Sequence, residues 1–170
     1  ADLDQDLVDR VPTAVSNMNS SEPVCHEADP DLILFGDQGV VLLRNQLPVE
    51  SSQRELIAVP QAEAFADLRG VTGVIASDLD HDGNLDLAIS SATGISLWSG
   101  RGDLTFVEIT GNSQLPPNVA KVTGMLALDI DQDLDVDILV AATNQPLGYL
   151  ENTGHGRFRW LSLQQSDRRS

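Results

Sequence analysis

Two stretches of this chain place an Asp, or in one case an Asn, at every second position, a pattern that suits the binding of a hard cation. One reads Asp78-Leu79-Asp80-His81-Asp82-Gly83-Asn84-Leu85-Asp86, the other Asp129-Ile130-Asp131-Gln132-Asp133-Leu134-Asp135-Val136-Asp137. A third acidic stretch opens the chain as Asp2-Leu3-Asp4-Gln5-Asp6-Leu7, and its Asp4-Gln5-Asp6-Leu7 recurs unchanged as Asp131-Gln132-Asp133-Leu134. Alternating aspartates in a tight turn gather their carboxylates on one side. A cation such as Ca2+ takes six to eight oxygens at about 2.3–2.6 Å. Without a cation, two carboxylates about 5 Å apart at an effective dielectric of about 20 repel by roughly 3 kcal/mol. The side-chain ligands expected in the second unit are Asp78, Asp80, Asp82 and Asp86, with the Asn84 carbonyl between them. Those in the third are Asp129, Asp131, Asp133 and Asp137, with Asp135 at the place of Asn84. In the first they are Asp2, Asp4 and Asp6, closed by Asp31. Gly83 suits the sharp turn, since glycine adopts positive φ freely. Leu134 and Leu7 stand where that glycine would be, and a leucine at positive φ is strained.

An EF-hand is ruled out. Its loop needs Glu at position 12 and a helix on either side. Counted from Asp78 and Asp129, position 12 falls on Ile89 and Val140, inside runs of strand character.

The loops sit in a repeat. Val71-Thr72-Gly73 precedes one and Val122-Thr123-Gly124 the other, and Leu87 to Ser90 and Ile138 to Ala141 follow them. Asp31, Asp86 and Asp137 each open such a run, separated by just over 50 residues, the size of one unit in an array. Short apolar, β-branched runs between Gly and Asp turns read as strands. They are Leu32 to Phe35, Val40 to Arg44 and Leu56 to Val59 in the first unit. The second has Val74 to Ser77, Leu87 to Ser90, Gly94 to Trp98 and Phe106 to Ile109. The third has Met125 to Leu128, Ile138 to Ala142, Gly148 to Glu151 and Phe158 to Leu163. No helix is expected beyond a turn within Ala62 to Leu68. Four short strands per unit is the blade pattern of a β-propeller. The fold class read here is therefore all-β: about three four-stranded antiparallel blades in a single array. Blade one covers 1–60, with its inner strand missing and an insertion at 8–28; blade two covers 61–113, blade three 114–165, and a tail 166–170. Propellers typically close with 4–8 blades, so further blades are expected from another chain, a second copy or flanking sequence.

Asp78 to Leu87, with the later Gly100-Arg101-Gly102-Asp103-Leu104-Thr105-Phe106, resembles the FG-GAP/VCBS repeat, the unit of integrin α propellers and of many secreted bacterial proteins. The resemblance implies a blade whose calcium loop joins the innermost strand to the next. It places ligands on Asp78, Asp80, Asp82 and Asp86, and on Asp129, Asp131, Asp133 and Asp137. Two Ca2+ sites are expected, with a third at the opening loop.

Composition narrows the function. The net charge of -16 argues against nucleic acid and anionic membranes as partners. No apolar run approaches the roughly 18 residues of a membrane span. The chain begins at Ala1 without a Met, consistent with a removed leader or a longer parent. Loops of this type suit millimolar calcium, so a secreted, periplasmic or cell-surface location is expected. Single Cys25 permits no internal disulfide. Cys25-His26, His81 and His155 lack the neighbours that catalysis would need. Arg101-Gly102-Asp103 lies in a turn where Gly-rich sequence is ordinary, and the sequon Asn19-Ser20-Ser21 lies in the insertion. No catalytic residue and no organic cofactor are assigned. The expected role is a calcium-binding extracellular module for protein interaction or scaffolding. The alternative is a carbohydrate-binding module or an accessory domain of a carbohydrate-active enzyme, with Trp98, Tyr149 and Trp160 as candidate sugar platforms.

Overall fold

The computed structural model describes residues 31–46, 53–59, 64–102, 104–116, 119, 121–143 and 145–163. Strands run β1 Leu32–Gly36, β2 Gly39–Gln46, β3 Glu55–Ala58, β4 Val71–Ser77, β5 Asp86–Ser91, β6 Gly94–Gly100, β7 Phe106–Glu108, β8 Val122–Leu128, β9 Asp137–Ala142, β10 Gly148–Asn152 and β11 Phe158–Ser162. They form three antiparallel sheets ordered β1-β2-β3, β4-β5-β6-β7 and β8-β9-β10-β11. Every expected strand is present, and the chain is all-β as expected. Ala64 to Asp67 form a turn. A short 3-10 helix at Thr110–Asn112, not foreseen from the sequence, follows β7.

Each sheet is a meander, and period-2 alternation sends successive side chains to opposite faces. In β5, Leu87 and Ile89 join Trp98, Val71, Leu42 and Phe65 in one apolar cluster between the first two sheets. Ala88 between them joins Leu97, Val122, Ile138, Val140, Leu150 and Phe158 in a second cluster, between sheets two and three. The middle sheet is thus buried on both faces, and all six residues of β5 are buried. Full burial of a Leu, Ile or Phe side chain contributes about 1.5–3 kcal/mol, so these interfaces are what hold the sheets in a stack.

The innermost strands lie side by side. Thr72 Oγ1 donates to the carbonyl of Val122 on the neighbouring sheet at 3.0 Å. Thr72 and Thr123 are the extra residues of matching bulges, where the register shifts between Val71 and Gly73 and between Val122 and Gly124.

Both ends of the stack are apolar. Leu32 faces Leu43 across β1 and β2, Leu34 faces Val41, and Leu56 pairs with Asn45 on the same face. Leu32, Leu34, Val41 and Leu56 are exposed there. By register, Leu32 and Leu34 correspond to Leu87 and Ile89 of the second sheet, which are buried against the first. At the other end, Leu126 and Leu128 are exposed, and Leu126 pairs with Leu139, which pairs in turn with Tyr149.

Candidate metal centres

Each Asp-rich loop joins the innermost strand of a sheet to the next: 78–85 lies between β4 and β5, 129–136 between β8 and β9. The sequence folds these loops by turning carboxylates onto its own backbone N–H groups, as Asp does in Asx turns. In the second blade, Gly83 N–H donates to Asp78 Oδ2 at 3.1 Å, Asp82 N–H to Asp80 Oδ1 at 3.1 Å and Asn84 N–H to Asp82 Oδ1 at 2.8 Å. The third blade repeats the pattern. Leu134 N–H donates to Asp129 Oδ2 at 3.1 Å, Asp133 N–H to Asp131 Oδ1 at 3.3 Å and Asp135 N–H to Asp133 Oδ1 at 2.9 Å. Gly83 sits at φ 87 and Leu134 at φ 76, so leucine does occupy the left-handed position that the repeat assigns to glycine.

The closing aspartate is the fixed point of each loop. Asp86 and Asp137 are fully buried. Asp86 accepts from Leu79 N–H and from Gly100 N–H, both at 2.8 Å. Asp137 accepts from Ile130 N–H at 2.9 Å and Asn152 N–H at 2.8 Å. Asp31 does the same at the head of β1, accepting from Asn45 N–H at 2.8 Å. The first unit therefore keeps its closing acid. Asp2, Asp4 and Asp6 lie outside the described residues, as do Cys25, His26 and Asp103.

Asp86 and Asp137 each meet two loop acids. Asp78, Asp80 and Asp86 each offer an oxygen, and the three lie within 4.8 Å of one another; so do those of Asp129, Asp131 and Asp137. Asp82, Asn84, Asp133 and Asp135 stand outside these triads. Asp78 Oδ1 is buried and has no hydrogen-bond partner. Burial raises Asp86 from 3.8 to about 6, against two lowering N–H bonds and with help from Asp80 and Asp82. Asp131 is raised too, first by partial desolvation and then by the Asp133 carboxylate. Three carboxylates converging, with an unpartnered oxygen on one of them and with charge costly to hold, fit a hard divalent cation.

The two loops touch. His81 Nε2 lies 3.3 Å from Asp135 Oδ1. Asn152 Nδ2 donates to the Leu79 carbonyl at 2.8 Å, across the sheet boundary. Neither contact is evident from the loop motifs. The signal for Asn152 was its distance from the closing acid: the residue donating its N–H lies 14 positions after Asp31 and Asp86 and 15 after Asp137.

Of the candidate sugar platforms, Tyr149 is half-buried, in line with Leu139 and Leu126 on the outer face of the third sheet, and Trp160 is half-buried against the second apolar cluster. Trp98 is buried, 4.8 Å from Phe65 in an edge-to-face pair, and its Nε1 donates to Ser96 Oγ at 2.9 Å.

The architecture is a tandem array of propeller-like blades, with an acidic loop in each of the second and third. Residues 78–140, from the second blade's loop through most of β9, match the family model of the FG-GAP-like repeat. No curated protein and no solved structure matches the chain.

Proposed function

We propose that the chain is a calcium-binding module of an extracellular β-propeller, serving as a scaffold for protein interaction rather than as an enzyme. The observation that carries this reading is the pair of carboxylate triads in identical register, one of which holds the buried, unpartnered Asp78 Oδ1. Asp78, Asp80 and Asp86 hold one ion, and Asp129, Asp131 and Asp137 another; Asp82 and Asp133 shape the loops and supply further oxygens. Carboxylate-rich loops of this kind suit millimolar calcium, which points to a secreted, periplasmic or cell-surface setting. Among the described residues, the loop acids are committed to turns and triads rather than set up as an acid-base pair. The apolar outer faces of the first and third sheets are the surfaces on which further blades, from this or another chain, would pack. A glycan platform on Trp98 is less well supported, because that ring is covered by Phe65 and its N–H is taken.

The test is thermal unfolding with calcium, with magnesium and after calcium depletion. At a calcium concentration 100-fold above the dissociation constant, each site adds about 2.7 kcal/mol. For a protein of this size that is a rise of roughly 5–10 °C per site. Asp80→Ala should remove the second blade's share. A melting temperature indifferent to calcium, or equally raised by magnesium, sinks the reading.

A further inference from the structure

We infer that Asn152 is a positioning residue shared by the two metal loops, so that filling one loop raises the affinity of the other. The inference rests on the calcium reading above and adds a coupling that the two loops, taken singly, do not have.

Asn152 closes β10 and is 1% exposed. Its backbone N–H and both polar atoms of its side chain are engaged. Its backbone N–H donates to Asp137 Oδ1 at 2.8 Å, and its Oδ1 accepts from Gly154 N–H at 3.1 Å. Its side-chain amide donates in two directions: to the Leu79 carbonyl of the second blade's loop at 2.8 Å, and to the Val136 carbonyl of its own blade's loop at 3.3 Å. Leu79 in turn donates its N–H to Asp86 Oδ2. An unbroken relay therefore runs from Asp86 through Leu79 and Asn152 to Asp137. Its ends are the buried carboxylates that close the two triads. The His81–Asp135 contact joins the same loops at their exposed side.

The physical consequence follows from ordering. An empty loop holds its acids together against their mutual repulsion and so is looser than a filled one. An ion in one triad fixes its closing acid, hence Leu79 or Asn152, hence the neighbouring loop. The second ion then meets a loop already ordered, and less conformational entropy remains to be lost on binding. Repulsion between the two ions acts the other way and is screened at 0.15 M salt, where the Debye length is about 8 Å. The corresponding position in the second blade is Gly100, which offers the same N–H to Asp86 but no side chain to cross the boundary. Asn152→Gly therefore keeps the bond to Asp137 and deletes the bridge to Leu79, together with the side chain's bonds to Val136 and Gly154 within its own blade.

The experiment is calorimetric titration of the full 170-residue chain with calcium chloride at 0.15 M salt, in four proteins: native, Asp131→Ala, Asn152→Gly and the double variant. Coupling of the usual size predicts that Asp131→Ala weakens the remaining second-blade site about fivefold or more while Asn152 is present. In the Asn152→Gly background the same change should move that site by less than about twofold, since additivity returns when the shared partner is gone. An Asp131→Ala effect below twofold in the native background, or one of equal size in both backgrounds, overturns the coupling and leaves calcium binding intact. No calcium bound by the native protein overturns the calcium reading itself. If Asn152→Gly fails to fold, Asn152→Ala takes its place with the same outcomes, and if neither folds the native background decides, an Asp131→Ala effect below twofold overturning the coupling.

Discussion

Raising the pH from 4 to 7 in the absence of divalent cations should destabilise this protein through Asp86. Its carboxyl is fully buried, and burial lifts it from 3.8 to about 6. A carboxyl raised in the folded state holds its proton more tightly there than in the unfolded chain. Its contribution therefore favours the folded state below pH 3.8 and is lost as the pH climbs towards 6. At about 1.4 kcal/mol per pH unit, the gap corresponds to roughly 3 kcal/mol. Bound calcium reverses the sign, because the cation binds the carboxylate and not the acid, so the calcium increment should grow across the same window. The assay is urea unfolding followed by the fluorescence of Trp98 and Trp160, on calcium-depleted protein at closely spaced pH values, for the native chain and for Asp86→Asn. General repulsion among the 26 acids adds a slope of the same sign, so the informative quantity is the difference between the two proteins. The amide introduced at position 86 has one oxygen to accept with where the carboxylate has two, so the variant is less stable throughout but should lack the extra slope. Parallel curves for the two proteins from pH 4 to 6, or a calcium increment as large at pH 4.5 as at pH 7, would refute the reasoning.

Leu134→Gly should stabilise the protein by about 0.5–1 kcal/mol in urea unfolding: relief of a left-handed leucine, about 1–2 kcal/mol, exceeds the added chain entropy of glycine, and the exposed side chain gives up no packing. Gly100→Ala should cost about 3 kcal/mol or more by the same measurement, because a Cβ there runs into the Leu85 carbonyl oxygen and pushes Gly100 N–H away from Asp86. Thr72→Val should cost roughly 1 kcal/mol, since it deletes the bond to Val122 between neighbouring sheets; an unchanged denaturation midpoint would show that bond to be idle.

The strands were legible because their apolar runs are short, β-branched and bounded by Gly and Asp. The run at Val74 begins three residues late only because Gly73 reads as a break, whereas the bulge absorbs Thr72 and carries β4 back to Val71. Asp86 and Asp137 read as loop ligands, yet each is also the first residue of a strand, paired with Ser77 and Leu128 respectively. The backbone bonds that hold them come from Gly100 and Asn152, at the far ends of the neighbouring strands β6 and β10. No local pattern announces such a bond, because it depends on how β5 and β6, or β9 and β10, align. Asn152 was missed for the same reason: its side chain acts across a sheet boundary, on a carbonyl 73 residues away in sequence. The loop motif itself was legible down to the strained Leu134, since the Asx turns that shape it lie within a few residues.

The two outer faces of the stack are different halves of one kind of contact. The first sheet offers the side that, in the second, is buried against its predecessor; the third offers the side that meets a successor. Like therefore does not pair with like, and any partner built from the same repeat must join head to tail. Heterologous contacts of this sort close into a ring when the rotation per unit returns to its start and run on into an open fibre when it does not. The angle set between neighbouring sheets by Trp98, Leu97 and their partners thus decides the symmetry of whatever assembly these blades enter, at a distance from the faces that make the contact.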